Sequence, residues 1–257
     1  MAQPLQVAIK IPCPARLFVA RRKENVKIIK KIVIKILKKY LWKLPDDMLN
    51  RALSYAIIHR KFPTLLASER VQNRENLWRA TLDVIGSDKQ ILFLEFGVYQ
   101  GDSIRFFSRE LTNSDSKLIG FDSFQGLPED WGHRSAGSYS AKGKIPTIDD
   151  QRVNFEIGWF QDTLPLLQFH GEKYDAVLVH MDADLYSSTL FVLSELWHRF
   201  VNVYVIFDEF VGDEARALFN FTQAFPCKVA FILHDAYPPK RVACIISGMR
   251  GEAVSEI

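Results

Sequence analysis

The chain has 257 residues, 48% of them hydrophobic, enough to bury one large core and leave an appendage. Its three cysteines, Cys13, Cys227 and Cys244, are far apart, odd in number and without a Cys-x-x-Cys pair, which argues against a disulfide framework and a thiolate metal site and for a reducing compartment. The net charge of +3 hides an asymmetry: residues 21–43 hold ten lysines and arginines against the single acid Glu24, a local +9, so the rest of the chain carries −6.

At the N-terminus, "MAQPLQVAIKIPCPARLFVARRK" is interrupted by Lys10, Pro12 and Pro14 and lacks the apolar core of a signal peptide. No stretch reaches the roughly 18 apolar residues of a spanning helix. A soluble, cytoplasmic protein is expected. From 24 to 43, Val26, Ile29, Val33, Ile36, Leu37 and Tyr40 recur at helical spacing with lysines between them. Such a basic amphipathic helix can lie on an anionic membrane surface, but packing against its own domain or a dimer partner is the commoner case and the expectation here. Two further helices are expected over 46–60 and 72–86. The domain division placed on the sequence is 1–72 for the basic arm and N-terminal helices, a cap or dimer contact, and 73–257 for the main domain.

From residue 90 short apolar runs begin: "ILFLEF" (91–96), "KLIGF" (117–121), "NFEIGWF" (154–160), "YDAVLVHM" (174–181) and "NVYVIF" (202–207). Helix-like segments such as 102–112 and 187–199 separate most of them. Continuous rather than alternating apolar runs, interleaved with helices, predict a parallel sheet covered on both faces. "CKVAFIL" and "RVACIIS" flank "HDAYPPK" and predict a closing antiparallel hairpin.

In open α/β sheets ligands bind at the carboxyl ends of the strands, and nearly every predicted parallel strand here delivers an acid to that rim. Glu95 ends the first, Asp122 the second, Asp182 and Asp184 the fourth, Asp208 and Glu209 the fifth; "QDTLP" follows the third. The turn "EFGVYQGDS" departs from the dinucleotide fingerprint, because Tyr99 stands where a pyrophosphate needs bare backbone and Glu95 repels phosphate. With Gly97 and Gly101 for the turn and Asp122 for ribose hydroxyls, a ribose-bearing cationic ligand without phosphates fits, such as S-adenosylmethionine. Asp182, Asp208 and Glu209, brought close together, would repel one another unless a cation neutralised them. Oxygen-only donors favour Mg²⁺, or Mn²⁺ or Ca²⁺, over zinc. His180 shares the strand face of Asp182 and reads as a packed, hydrogen-bonded core residue. The loop 122–146, rich in glycine and serine and carrying Trp131 and Tyr139, reads as a lid.

"LEFGVYQGDS", "GFDSFQGLPEDW", "GWFQDTLP", "HMDADLYSST" and "FDEF" resemble, in order and spacing, the motifs of the macrocin-type O-methyltransferases, which methylate sugar hydroxyls of natural products. The resemblance covers roughly residues 74–250 and leaves the basic arm outside. It implies a class I methyltransferase fold with seven strands, S-adenosylmethionine as cofactor, Mg²⁺ or Mn²⁺ as metal, a sugar or glycosylated small molecule as acceptor, and a homodimer or larger homo-oligomer. By motif position Asp182, Asp208 and Glu209 correspond to the metal ligands, Asp184 to the general base, Asp122 to the ribose-binding acid and Asp162 to the adenine site. Ser103, Ser123 and Thr163 complete the candidate cofactor set within the same motifs. Glu209 departs from the adjacent aspartates usual in the family. A catechol or other vicinal diol suits the same carboxylates, and a non-enzymatic membrane-surface binding module is a further alternative. The acidic rim argues against a nucleic-acid partner.

Overall fold

The computed structural model describes residues 14–248, and their side chains from residue 26 onward; Cys13 and most of the stretch read for a signal peptide lie outside the described residues. The chain forms two compact units, residues 1–45 and 46–257. The first unit contains the helix α1 (Pro14–Tyr40) and a short helical turn, Leu41–Lys43; residues 26–45 are exposed throughout.

The second unit runs α2 (Asp46–Lys61), β1 (Glu69–Arg70), α3 (Arg74–Ile85), β2 (Ile91–Phe96), α4 (Asp102–Glu110), β3 (Lys117–Asp122), β4 (Val153–Ile157), α5 (Phe160–Thr163), β5 (Ala176–Met181), α6 (Tyr186–Arg199), β6 (Asn202–Phe207), α7 (Ala215–Ala224), β7 (Lys228–His234) and β8 (Val242–Ser247). One sheet takes the order β1-β7-β8-β6-β5-β2-β3-β4. Its pairs are parallel except those of β8, which lies antiparallel between β6 and β7. This is the expected α/β architecture with its closing hairpin. The sheet has eight strands rather than seven, because the two-residue β1 adds to the edge of β7. That strand, and α2 burying Ile57 and Ile58, tie residues 46–72 to the sheet unit.

The strands read as continuous apolar runs because each is buried on both faces. Leu92, Leu94 and Phe96 of β2 face one side with α2, α6 and α7, packing with Ile58, Leu193 and Phe221. Ile91 and Phe93 face the other, with Trp78 of α3 and Phe107 of α4. The helices have identifiable ends: the Asn73 side chain accepts the Asn76 N–H at 2.9 Å to start α3, and Gly86, at φ 97°, ends it.

Arg152 fastens the entry of β4. Its guanidinium donates to the carbonyls of Ser108, Leu111 and Asn113 and pairs with Asp150 at 2.6 Å, with about a sixth of either side chain exposed. Arg152→Leu strands those carbonyls and the Asp150 charge, and unfolding in urea is expected to show a loss of about 2–4 kcal/mol. Arg79→Leu, which removes the exposed pair with Glu110, should cost less than about 1 kcal/mol. The hydrogen bond from Arg152 holds the Asp150 carboxyl below its usual range. Its stabilisation is therefore complete above the ordinary carboxylate value and disappears as the pH falls through the lowered folded value.

Candidate active site

The strand order reverses between β2 and β5, and a cavity of about 340 Å³ opens over the carboxyl ends there. Each neighbouring strand contributes to its wall: Gly97 and Tyr99 after β2, Asp122 and Ser123 after β3, Trp159–Gln161 after β4, Asp182–Asp184 after β5, Asp208 and Glu209 after β6. Arg74, Ser188, Arg241 and, from the 122–146 loop, Gly126, Leu127, Pro128 and Tyr139 complete it. Tyr99, Tyr139 and Asp184 lie in the left-handed region, at φ 51°, 61° and 59°. Such backbone conformations cluster where a site fixes side-chain directions at the cost of local strain.

The turn after β2 has no room for a side chain at Gly97. Its φ is 94°, and an added Cβ would overlap the Asp182 carbonyl oxygen, so the ends of β2 and β5 touch through bare backbone. Asp122 Oδ2 accepts the N–H groups of Val98 and Tyr99, each at 2.8 Å, and Oδ1 accepts that of Phe124 at 2.6 Å. Two amides that a phosphate would need are thus already used. A carboxylate has about four acceptor positions, so Asp122 retains one for a ribose hydroxyl.

Five of the expected cofactor residues do not line the cavity. Glu95 is fully buried on the β2 face beneath α3 and α4, where Oε1 meets His180 Nδ1 at 2.9 Å. Gly101 begins α4 in the left-handed conformation at φ 79°, and Ser103 is buried in its first turn. Asp162 is exposed on α5, while Thr163 donates its hydroxyl to the Trp159 carbonyl. Their neighbours Trp159, Phe160 and Gln161 supply the wall instead.

The acids form a charge-rich cluster. Burial, then the proximity of Asp208, raises the Asp182 carboxyl well above its ordinary value. Burial with Glu209 and Asp208 nearby lifts Asp184 to about 7. Glu214, which sequence reading passed over, is fully buried behind them; its Oε2 accepts the Glu209 N–H at 3.1 Å, and burial and the same acids push it up too. Its only sequence signal is a second acidic pair in "FDEFVGDE".

Counter-charges come from residues remote in sequence. Arg241 bridges Asp208 Oδ1 and Asp235 Oδ2, both at 2.8 Å. His180 Nε2 lies 4.0 Å from the same Asp208 oxygen. Burial pulls the His180 imidazolium down, but the Glu95 hydrogen bond and charge outweigh it and the group is raised. Asp208 Oδ1 is thus held by Arg241, itself paired with Asp235, and the Glu95-bonded His180 ring lies behind it. Lys240 pairs with Glu209 at 2.7 Å, with side chains 47% and 32% exposed.

Among the described residues the Asp182 carboxyl and Asp208 Oδ2 make no hydrogen bond, and no three acidic or histidine side chains are spaced to hold an ion as they stand. The donors nevertheless suit a hard divalent cation: they are all oxygen atoms, and Asp208, buried, and Asp182, partly buried, have carboxylate oxygens left free of hydrogen bonds. Asp182 and Asp208 are available as placed. Glu209 is engaged by Lys240 in an exposed pair, of the kind worth about 0–1 kcal/mol, that would have to open before its carboxylate could turn to an ion.

A profile of the macrocin O-methyltransferase family matches residues 60–226. Demethyldecarbamoylnovobiocin O-methyltransferase of Streptomyces niveus is 29% identical over 180 residues, covering 58% of this chain and 67% of that one. Among solved structures, the O-methyltransferase TomG of Streptomyces achromogenes, involved in tomaymycin synthesis and bound to S-adenosylmethionine, is 16% identical over 83% of this chain and 96% of its own, with a TM-score of 0.43. CalS11, a TDP-rhamnose 3'-O-methyltransferase of calicheamicin biosynthesis, is 18% identical over 83% and 91%, with a TM-score of 0.42.

Proposed function

The chain belongs to the macrocin O-methyltransferase family, and from that premise we propose that this S-adenosylmethionine-dependent O-methyltransferase acts, with Mg²⁺, on a hydroxyl of a sugar or glycosylated natural product. The observation that carries the reading is the convergence of Asp122, Asp182, Asp184, Asp208 and Glu209, from three strand ends, on one cavity walled by Tyr99, Tyr139, Trp159 and Phe160. Asp182, Asp208 and Glu209 would hold the ion, and Asp184 would take the acceptor's proton.

Methyl transfer to an alcohol needs an oxygen that has lost, or is losing, its proton. For an alcohol resembling water, with a pKa about 15.7, ionisation at pH 7 spans about 9 units, or roughly 12 kcal/mol. A bound divalent ion supplies Lewis acidity that lowers the pKa of an oxygen beside it. Without the ion, burial and the neighbouring Glu209 and Asp208 lift Asp184 to about 7; a divalent cation beside it would draw it back down and leave a carboxylate able to take the acceptor's proton near neutral pH. Its left-handed backbone after β5 aims it into the cavity, while Gly97 lets the cofactor turn approach Asp182 closely. Alignment of the acceptor oxygen with the sulfonium methyl can contribute roughly 7–11 kcal/mol.

The aromatic wall supports a sugar acceptor. Tyr99 and Tyr139 meet edge-on at 6.2 Å, and Arg134 stacks on Trp131 and Tyr139, joining three residues of the 122–146 loop in one patch beside the pocket. Such faces pack on the apolar C–H faces of a sugar. The acceptor test is methyl transfer from labelled S-adenosylmethionine to sugar diols and, in parallel, catechols; turnover of catechols alone would refute a sugar acceptor.

The Lys240 pair makes a separate prediction. Removing that cation frees Glu209 while leaving Arg241 on Asp208. Lys240→Gln is expected to bind Mg²⁺ several-fold more tightly by calorimetry. Unchanged or weaker binding would mean that Glu209 is not drawn into the ion's shell.

A further inference from the structure

Residues 26–45 contain seven lysines and no acid. At 100° per residue, Val26, Ile29, Ile32, Val33, Ile36, Leu37 and Tyr40 fall in one stripe about 140° wide, with Lys27, Lys31, Lys35 and Lys38 opposite. The apolar stripe is exposed; its residues range from 46% for Val26 to 58% for Ile29. Directly after α1, Trp42 is 73% exposed and donates Nε1–H to the Lys39 carbonyl at 3.0 Å, and Lys43 stands over the Trp42 and Tyr40 rings. The helix therefore ends in an aromatic pair flanked by lysines, a grouping suited to the boundary between lipid headgroups and acyl chains. No helix among the described residues is long and apolar enough to cross a membrane.

We propose that α1 docks on the surface of an anionic phospholipid bilayer, its apolar stripe at the acyl boundary and its lysines among the headgroups. The rival occupant is a second copy, because Val26, Ile29, Val33, Ile36 and Tyr40 also keep a 3-4 spacing. Charge decides between them. Two copies of residues 26–45 packed stripe to stripe would gather fourteen lysines with no acid on either side to pair with them, whereas an anionic leaflet supplies the opposite charge that attracts each lysine near it. The stripe alone would serve a neutral surface; the lysines select an acidic one.

The test is flotation of the full chain with phosphatidylcholine vesicles containing or lacking phosphatidylglycerol, alongside sedimentation equilibrium without lipid. The expected result is binding that is at least tenfold stronger on the phosphatidylglycerol vesicles and released by salt. Ile29→Glu/Val33→Glu should abolish it, and Lys27→Gln/Lys31→Gln/Lys35→Gln/Lys38→Gln should weaken it at least tenfold. None of these residues lines the cavity, so S-adenosylmethionine binding should be unchanged and should report that the variants fold. Equal binding to both vesicles, no binding, or a lipid-independent dimer dissolved by Val33→Glu would each overturn the proposal.

Discussion

Asp184→Asn should lower kcat by about 10²–10⁴-fold while leaving S-adenosylmethionine affinity within a few-fold of the parent. The substitution is nearly isosteric, and asparagine tolerates the left-handed conformation that Asp184 adopts at φ 59°. What it removes is the capacity to accept a proton at the point where Glu209 and Asp208 crowd the cavity. It also relieves repulsion within the acid cluster, so the folded state should be no less stable. A loss of activity with stability kept or gained would separate chemistry from folding. Activity within tenfold of the parent would remove Asp184 from the role of base.

Gly97→Ala should be severely damaging. Alanine must adopt φ 94°, and its Cβ would overlap the Asp182 carbonyl, a backbone atom held in place by the Asp182 N–H bond to the Phe96 carbonyl at 2.9 Å. Neither strand end can yield without moving the cavity wall. Thermal or urea unfolding should show a loss of about 3 kcal/mol or more, and cofactor affinity should fall at least tenfold. Gly137→Ala is the control: its φ of 82° is similar, but nothing lies within 4 Å of the added Cβ, so only the roughly 1 kcal/mol of conformational strain applies. Equal effects at the two positions would mean that backbone strain alone matters, and that the contact between β2 and β5 does not.

Strand positions were legible where both faces are buried. β2 and β6 occupy the expected 91–96 and 202–207, since an apolar run bounded by polar residues leaves few alternatives. The strand expected over 154–160 ends at Ile157, because Gly158 turns at φ 150° and Trp159 caps α5. The candidate site was legible as a rim, not as a set of contacts. Glu95 reads as a rim acid from its place at the end of a run, yet its side chain points to the same face as Ile91 and Phe93. It pairs with His180, directly opposite in the β2–β5 register. Only knowing that these strands are neighbours reveals that bond, which fits the reading of His180 as a hydrogen-bonded core residue. Lys240 and Arg241 were equally invisible, being supplied by the β7–β8 connection some thirty residues after the acids Glu209 and Asp208 that they neutralise. Local pattern locates elements; long-range charge pairing has no local signature.

The most direct test of the central claim is calorimetric titration of S-adenosylmethionine and of Mg²⁺ into the protein and into Asp182→Ala. The proposed reading predicts that the parent binds both and that the variant retains S-adenosylmethionine while losing Mg²⁺. A parent that binds S-adenosylmethionine but takes up no Mg²⁺, or a variant that holds the ion as tightly as the parent, would contradict it.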